Sequence, residues 1–290
     1  MRKIAVVLSL SLVSTVFGQN LEAKPDDPYF AKFKIPVAPQ RQPARGSTVN
    51  GSAPMVIPEQ ARADLRVAIC GDSITEQKMY SRIIETYLTV CTPELNASVR
   101  QFGWSGEQAP GFLARMSDDV LRFRPMVATT CYGMNDHGYR PYEQSIGDRY
   151  RGYQADIIHL FKQAGTYVVL GSPGCIGKLP TWTGSANYTV EQLNLNLYEL
   201  RNIDIELAKA ENTGFADVFW PMFKANYEAR KKYGEEYAVA GKDGVHPNWA
   251  GQLVMAHAFL KGMGMDGEIG TFTIDMKLRQ ANLSEGHQRL

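Results

Sequence analysis

From Leu65 onward the chain repeats one pattern: a short apolar run, a turn, an amphipathic segment, then another apolar run. Apolar runs at residues 65–70, 98–102, 126–132, 167–171 and 215–219 read as strands. Segments near 77–91, 111–123, 148–164 and 190–210, with a further one from about 248 to 261, read as helices. The strands are continuously apolar, the signature of strands buried on both faces. Such alternation predicts an α/β domain: a central parallel sheet of about five strands, covered by helices on both sides. A hydrophobic content of 44% is enough for one sizeable core. Sheets of this kind hold their sites beyond the carboxyl ends of the strands, near a topological switch point. The polar residues that follow each apolar run are therefore the candidates for function.

The flanks of this region have a different character. Arg2 and Lys3 precede an apolar run over residues 4–17, and Val16 and Gly18 are small residues suited to a cleavage site. Residues 1–18 thus read as a secretory signal peptide cut after Gly18, with an apolar run too short to span a bilayer. No cysteine stands directly after Gly18, so a lipoprotein anchor is not indicated, and no other segment is apolar enough to cross a membrane; the expectation is an exported protein without a membrane span. Residues 19–64, rich in Pro, Gln, Arg and Ser, read as an extended lead-in, wrapped on the surface or partly disordered. Residues 65–265 form the folded domain, and the tail at 266–290 suits a short strand or hairpin.

Charge and cysteine content narrow the partners. With 31 basic and 30 acidic residues and no long basic run, nothing points to nucleic acid held by phosphate neutralisation. Cys70, Cys91, Cys131 and Cys175 show no C-x-x-C spacing, which weakens a zinc reading. Cys70 and Cys131 fall in expected core strands, where a thiol behaves as a small hydrophobe. Export permits disulfides, and the sequence leaves pairing open. It also leaves the oligomeric state open.

Four segments stand at or near strand ends: GDSIT at 71–75, GWSG at 103–106, GMND at 133–136, and DGVHP at 243–247 just before the last helix. Ser73 alone is a turn or cap residue as readily as a nucleophile. A serine hydroxyl needs a base, and histidine is the usual one near neutral pH. His246 supplies that residue type, and Asp243, three residues earlier, can reach one ring nitrogen through a tight turn. A tetrahedral oxyanion needs preorganised donors. Candidates are the backbone N–H groups of Ser73 and Gly106 and the side-chain amide of Asn135.

Together these segments resemble the SGNH hydrolases, also called GDSL esterases/lipases, over about residues 67–252. The resemblance implies a flavodoxin-like three-layer α/β/α sandwich. It implies Ser73 as nucleophile, His246 as base and Asp243 as orienting acid, with Ser73, Gly106 and Asn135 as the oxyanion hole. It also implies that no metal or other cofactor is needed. The first strand runs into GDSIT and not into a Gly-x-Gly-x-x-Gly phosphate cradle, which disfavours a nucleotide or flavin site.

Aromatic and polar residues beside the motifs are candidates for substrate contact, namely Trp104, His137 and Trp182, with Tyr132, Tyr139 and Trp249 nearby. Trp182 lies in the Pro- and Gly-rich stretch after the fourth strand, on the face where ligands bind. Asp72 is expected to bond its own turn, and Arg140 to be an exposed arginine. The expected function is a secreted serine esterase releasing short acyl groups, foremost acetyl, from carbohydrate, its substrate a small-molecule or polysaccharide ester. The alternatives are a lipase, lysophospholipase or thioesterase using the same residues, and a glycan-binding module without turnover.

Overall fold

A computed structural model describes residues 6–8, 30, 33, 64–184, 187–265, 272–275 and 280–283. The remaining parts of the expected signal peptide, lead-in and tail lie outside the described residues. Strand β1 spans Val6–Leu8, β2 Arg66–Gly71, β3 Ser98–Gly103, β4 Val127–Cys131, β5 Tyr167–Gly171 and β6 Gly214–Ala216. Helix α1 spans Ser73–Glu76, α2 Met79–Cys91, α3 Ala109–Arg115, α4 Gln144–Gln163, α5 Val190–Ala210, α6 Phe219–Tyr233 and α7 Trp249–Gly262. Two further strands, β7 at Phe272–Asp275 and β8 at Gln280–Leu283, pair antiparallel, and β1 pairs antiparallel with β7.

Strands β2 to β6 form one sheet in the order β3-β2-β4-β5-β6, with every pair parallel. With helices on both faces this is the expected three-layer α/β/α sandwich of flavodoxin-like strand order. The order reverses at β2, so a crevice opens between β2 and its neighbours at their carboxyl ends. Register makes that edge level. Gly71 pairs with both Gly103 and Cys131, Cys131 pairs with Gly171, and Gly171 pairs with Ala216. All five strands therefore stop in one row, and their loops leave from one line.

Alternation along the strands divides the core in two. Val67, Ile69, Val127 and Val169 face a cluster with Tyr80, Ile84 and Leu88 of α2, Phe219 and Phe223 of α6, and Met255 and Phe259 of α7. Ala68, Cys70, Ala128, Val168 and Leu170 face Phe112 of α3 and Ile157, Ile158 and Phe161 of α4. Helix α5 serves both clusters, through Leu193 and Leu197 on one side and Leu200 and Ile203 on the other. Each fully buried side chain of this kind contributes about 1.5–3 kcal/mol.

Two glycines bring α1 down onto the sheet. A β-carbon on Gly71 would sit 2.1 Å from Thr75 Oγ1, and one on Gly103 would sit 2.3 Å from the Glu76 nitrogen. Only glycine allows the helix to rest on the ends of β2 and β3.

Two elements depart from the sequence reading. The fifth strand, expected over 215–219, ends at Ala216, and Phe219 opens α6, a helix the apolar pattern did not announce. Asp217 causes the change: its Oδ1 accepts the Trp220 N–H at 3.2 Å and the Arg201 Nε–H at 2.8 Å. The helix expected over 111–123 is a short α3 followed by a separate 3-10 turn at Val120–Phe123. Of the lead-in, Phe30 and Phe33 are fully buried, ring to ring with Trp220 and Phe223.

Candidate active site

Ser73 is the first residue of α1, and Asp72 is its N-cap, accepting the Ile74 N–H on Oδ1 at 3.0 Å. Capping by Asp72 leaves the serine hydroxyl for another partner. Ser73 Oγ lies 2.8 Å from His246 Nε2. The other ring nitrogen, Nδ1, donates to Asp243 Oδ2 at 2.6 Å. With the Nδ1 proton held on a carboxylate, Nε2 presents a lone pair to the serine. Asp243 Oδ1 accepts the backbone N–H groups of Val245 and His246, both at 2.9 Å. Burial works to raise the Asp243 pKa, but those two N–H groups and the His246 ring outweigh it and hold the carboxyl below its ordinary value.

The loop bearing Asp243 and His246 is closed by backbone bonds. Asn248 N–H donates to Val239 O at 3.1 Å, Gly244 N–H to Gly241 O at 3.0 Å, and Gly177 N–H to Gly244 O at 2.8 Å. Gly241 has φ +92, and a β-carbon there would fall 1.7 Å from the His246 carbonyl oxygen.

Across the crevice, the Asn135 amide joins two of the other motif segments. Its Nδ2 donates to the Glu107 carbonyl at 3.0 Å and faces Asp72 Oδ2 at 3.4 Å. Asn135 is thereby tied to the residue after Gly106 and to the residue before Ser73. Gly106 has φ +72 and nothing within 4 Å of a notional β-carbon, so its backbone is open to a ligand. Among the described residues, neither the Ser73 nor the Gly106 N–H has a backbone acceptor.

Charged side chains brace this loop from below. Arg115 grips Glu107 with two bonds, Nε to Oε1 at 2.6 Å and Nη2 to Oε2 at 2.7 Å, and Tyr132 donates to Glu107 Oε2 at 2.8 Å. Arg115 also donates to the Phe102 carbonyl at 2.7 Å. The Ser105 hydroxyl donates to Glu76 of α1. Asp136 accepts the Ala109 N–H and the Gly133 N–H, both at 2.9 Å, and so pins the GMND turn to the start of α3. Burial pushes Asp136 up to about 6 and Asp72 up to about 7, against the backbone N–H groups that favour their charged forms.

Of the candidate substrate contacts, Trp104 and Trp182 are 62% and 50% exposed, the first under the Arg115 guanidinium and the second 6.3 Å from the His246 ring. Trp249, at the start of α7, is exposed as well. His137 corrects the expectation of a residue lining the pocket. It is fully buried, its Nδ1–H donates to the Met134 carbonyl at 2.5 Å, and burial pulls its pKa down to about 4. Nδ1 supports the turn and Nε2 is buried without a hydrogen-bond partner among the described residues, so the ring offers no exposed surface to a substrate. Arg140 is exposed and sits 3.8 Å from Glu143.

Gly241, Glu107 and Arg115 shape the site without having been singled out for it by sequence. The only signal Gly241 carried was a glycine two residues before Asp243; the others act through contacts between segments far apart in the chain. All four cysteines are thiols, with Cys70, Cys131 and Cys175 buried. Among the described residues, no three His, Cys, Asp or Glu side chains are grouped to hold a metal ion, and no helix is long and apolar enough to cross a membrane.

A parallel sheet with a serine–histidine–aspartate string at its strand ends is an arrangement that recurs among hydrolases. Residues 69–254 match the GDSL-like Lipase/Acylhydrolase family, and the chain belongs to it, as the motifs implied. No curated protein sequence matches the chain. Among solved structures, it is similar to a protein of Parabacteroides merdae described as a GDSL-like lipase, at 23% identity and TM-score 0.57, covering 70% of this chain and 97% of the other. It is similar to Axe2, an acetylxylan esterase from Geobacillus stearothermophilus, at 20% identity and TM-score 0.55, covering 71% and 97%. It is also similar to BT4096, a gut microbial diltiazem-metabolizing enzyme, at 24% identity and TM-score 0.63, covering 79% of this chain and 53% of that one.

Proposed function

We propose that the protein is an exported serine esterase that hydrolyses short acyl esters, acetyl foremost, on carbohydrate. The observation that carries the reading is the continuous string from Ser73 Oγ to His246 Nε2 at 2.8 Å and from His246 Nδ1 to Asp243 Oδ2 at 2.6 Å. Ser73 Oγ attacks the ester carbonyl while His246 Nε2 takes its proton, and Asp243 stabilises the imidazolium that forms. The N–H groups of Ser73 and Gly106 and the Asn135 amide receive the oxyanion. His246 then protonates the departing alkoxide, leaving an acyl-serine. A water, deprotonated by His246, releases the acid and restores Ser73.

Family membership supports ester hydrolysis. The acetyl-carbohydrate preference draws on the exposed Trp104 and Trp182 beside the site, whose rings suit sugar stacking. It draws also on the acetylxylan esterase among the structural neighbours. Solved variants of that esterase described as catalytic mutants replace a serine, an aspartate and a histidine, the last two three positions apart, as Asp243 and His246 are. Export draws on the basic and apolar start of the chain. Rates on p-nitrophenyl esters of increasing length, followed by acetylated polysaccharides, test the reading. Preference for acetyl and acetate release from the polymer are expected. Preference for chains of about eight or more carbons would replace it with a lipase or thioesterase, which must bury a long apolar chain.

A further inference from the structure

Asn135 presents two chemically opposite ends, and the surroundings distinguish them. Its Nδ2 faces two acceptors, the Glu107 carbonyl at 3.0 Å and Asp72 Oδ2 at 3.4 Å. Its Oδ1 accepts from the Tyr139 hydroxyl at 3.3 Å. A flipped amide would set oxygen against oxygen at the Glu107 carbonyl and at Asp72 Oδ2.

Tyr139 reaches that position at a conformational cost. It follows Gly138, which has φ +64, and is itself left-handed at φ +52, a region that a bulky aromatic residue rarely occupies. The turn folds the ring back toward the loop that precedes it. There it is held 4.6 Å from the His137 ring and edge-on to Trp182 at 5.8 Å. His137, buried and bonded to Met134, forms one fixed wall, and Asn196 ties that wall to α5 by donating to the His137 carbonyl at 3.1 Å. A strained backbone, a clamped ring and a hydroxyl placed on one amide oxygen act together on Asn135.

We propose that Tyr139 is a positioning residue of the oxyanion hole: its hydroxyl holds the Asn135 amide with Nδ2 toward the reacting carbonyl. The inference rests on the serine-esterase reading above. Tyr139 touches neither the acyl group nor the serine in this role. Removing its hydroxyl takes away the bond on Oδ1 and leaves the amide held only through Nδ2, by Glu107 and Asp72, which loosens its orientation and weakens oxyanion stabilisation.

The test compares the parent with Tyr139→Phe, Asn135→Ala, the double variant and Ser73→Ala, using p-nitrophenyl acetate and thermal melts. Tyr139→Phe keeps the ring and its packing. It is expected to lower kcat about 10- to 100-fold with KM within about twofold and an unchanged Tm. In the Asn135→Ala background the same substitution is expected to cost nothing further. Parental kcat in Tyr139→Phe, a loss confined to KM, or a full additional loss on top of Asn135→Ala would each overturn the proposal. If these occur while Ser73→Ala is inactive, the esterase reading stands and only the role of Tyr139 falls. Parental turnover by Ser73→Ala would overturn both.

Discussion

A β-carbon on Gly241 would lie 1.7 Å from the carbonyl oxygen of His246, so the bare glycine is what lets the two strands of that loop close. Any side chain there pushes His246 off Ser73, and φ +92 adds strain of its own. Gly241→Ala is expected to lower kcat/KM at least about 100-fold, since misplacement near 1 Å has that effect. Steady-state kinetics with a matched melt checks this, and a variant with parental kcat/KM would contradict it.

Asn135→Ala removes one oxyanion donor and leaves the string from Ser73 to Asp243 intact. The expected loss is about 10²- to 10³-fold in kcat, with KM little changed. A rise in KM alone would place Asn135 in ground-state binding.

Asp243→Asn keeps the shape of the loop but favours the wrong histidine tautomer. A fall of about 10⁴-fold in kcat is expected, with the melt shifted far less. A variant that retains most of its turnover would show that His246 needs no carboxylate here.

His137 makes stability depend on acid. Its folded pKa is depressed from the ordinary 6.5 to about 4, so between those values the unfolded chain binds the extra proton. Stability from this residue is full above about pH 6.5, declines as pH falls, and levels off near 4, by on the order of 3 kcal/mol. Asp72 and Asp136 act with the opposite sign, because their raised pKa values make the folded state the better proton binder as pH falls from about 7. Urea melts of parent and His137→Asn at pH 7.5 and 4.5 isolate the histidine. The gap between the two proteins is expected to shrink at the lower pH, and a constant gap would contradict the assignment.

Phe33 lies outside the α/β domain in sequence but inside its core in space. Phe33→Ala is expected to destabilise by about 3–5 kcal/mol in denaturant melts while leaving kcat of the folded enzyme intact. An unchanged melting midpoint would show that the ring contributes no packing.

Much of the architecture was legible because its causes are local. Helix α5 and strand β5 fall where the apolar pattern places them, and GDSIT, GWSG and GMND follow strands whose ends are level. What escaped was set by side-chain and backbone contacts that the apolar pattern does not encode. Phe215 to Phe219 looks like an unbroken strand until Arg201, on another helix, is seen holding Asp217 in place to start α6. His137 looks like a pocket residue until Met134 and Asn196 turn it inward. Gly241 looks like loop punctuation until the His246 carbonyl is found against it. Glu107 gives no hint in the chain that its carbonyl holds Asn135 while its carboxylate is gripped by Arg115.

The central claim is that Ser73 Oγ is the nucleophile that takes up the acyl group. Intact-mass and peptide mass spectrometry after treatment with a fluorophosphonate tests it most directly, because the reagent captures a serine activated by its histidine. One adduct per chain on the peptide carrying Ser73 is expected, with none in Ser73→Ala and slow formation in His246→Ala. An adduct on another residue, or an unmodified Ser73 in a protein that still hydrolyses esters, would contradict the account.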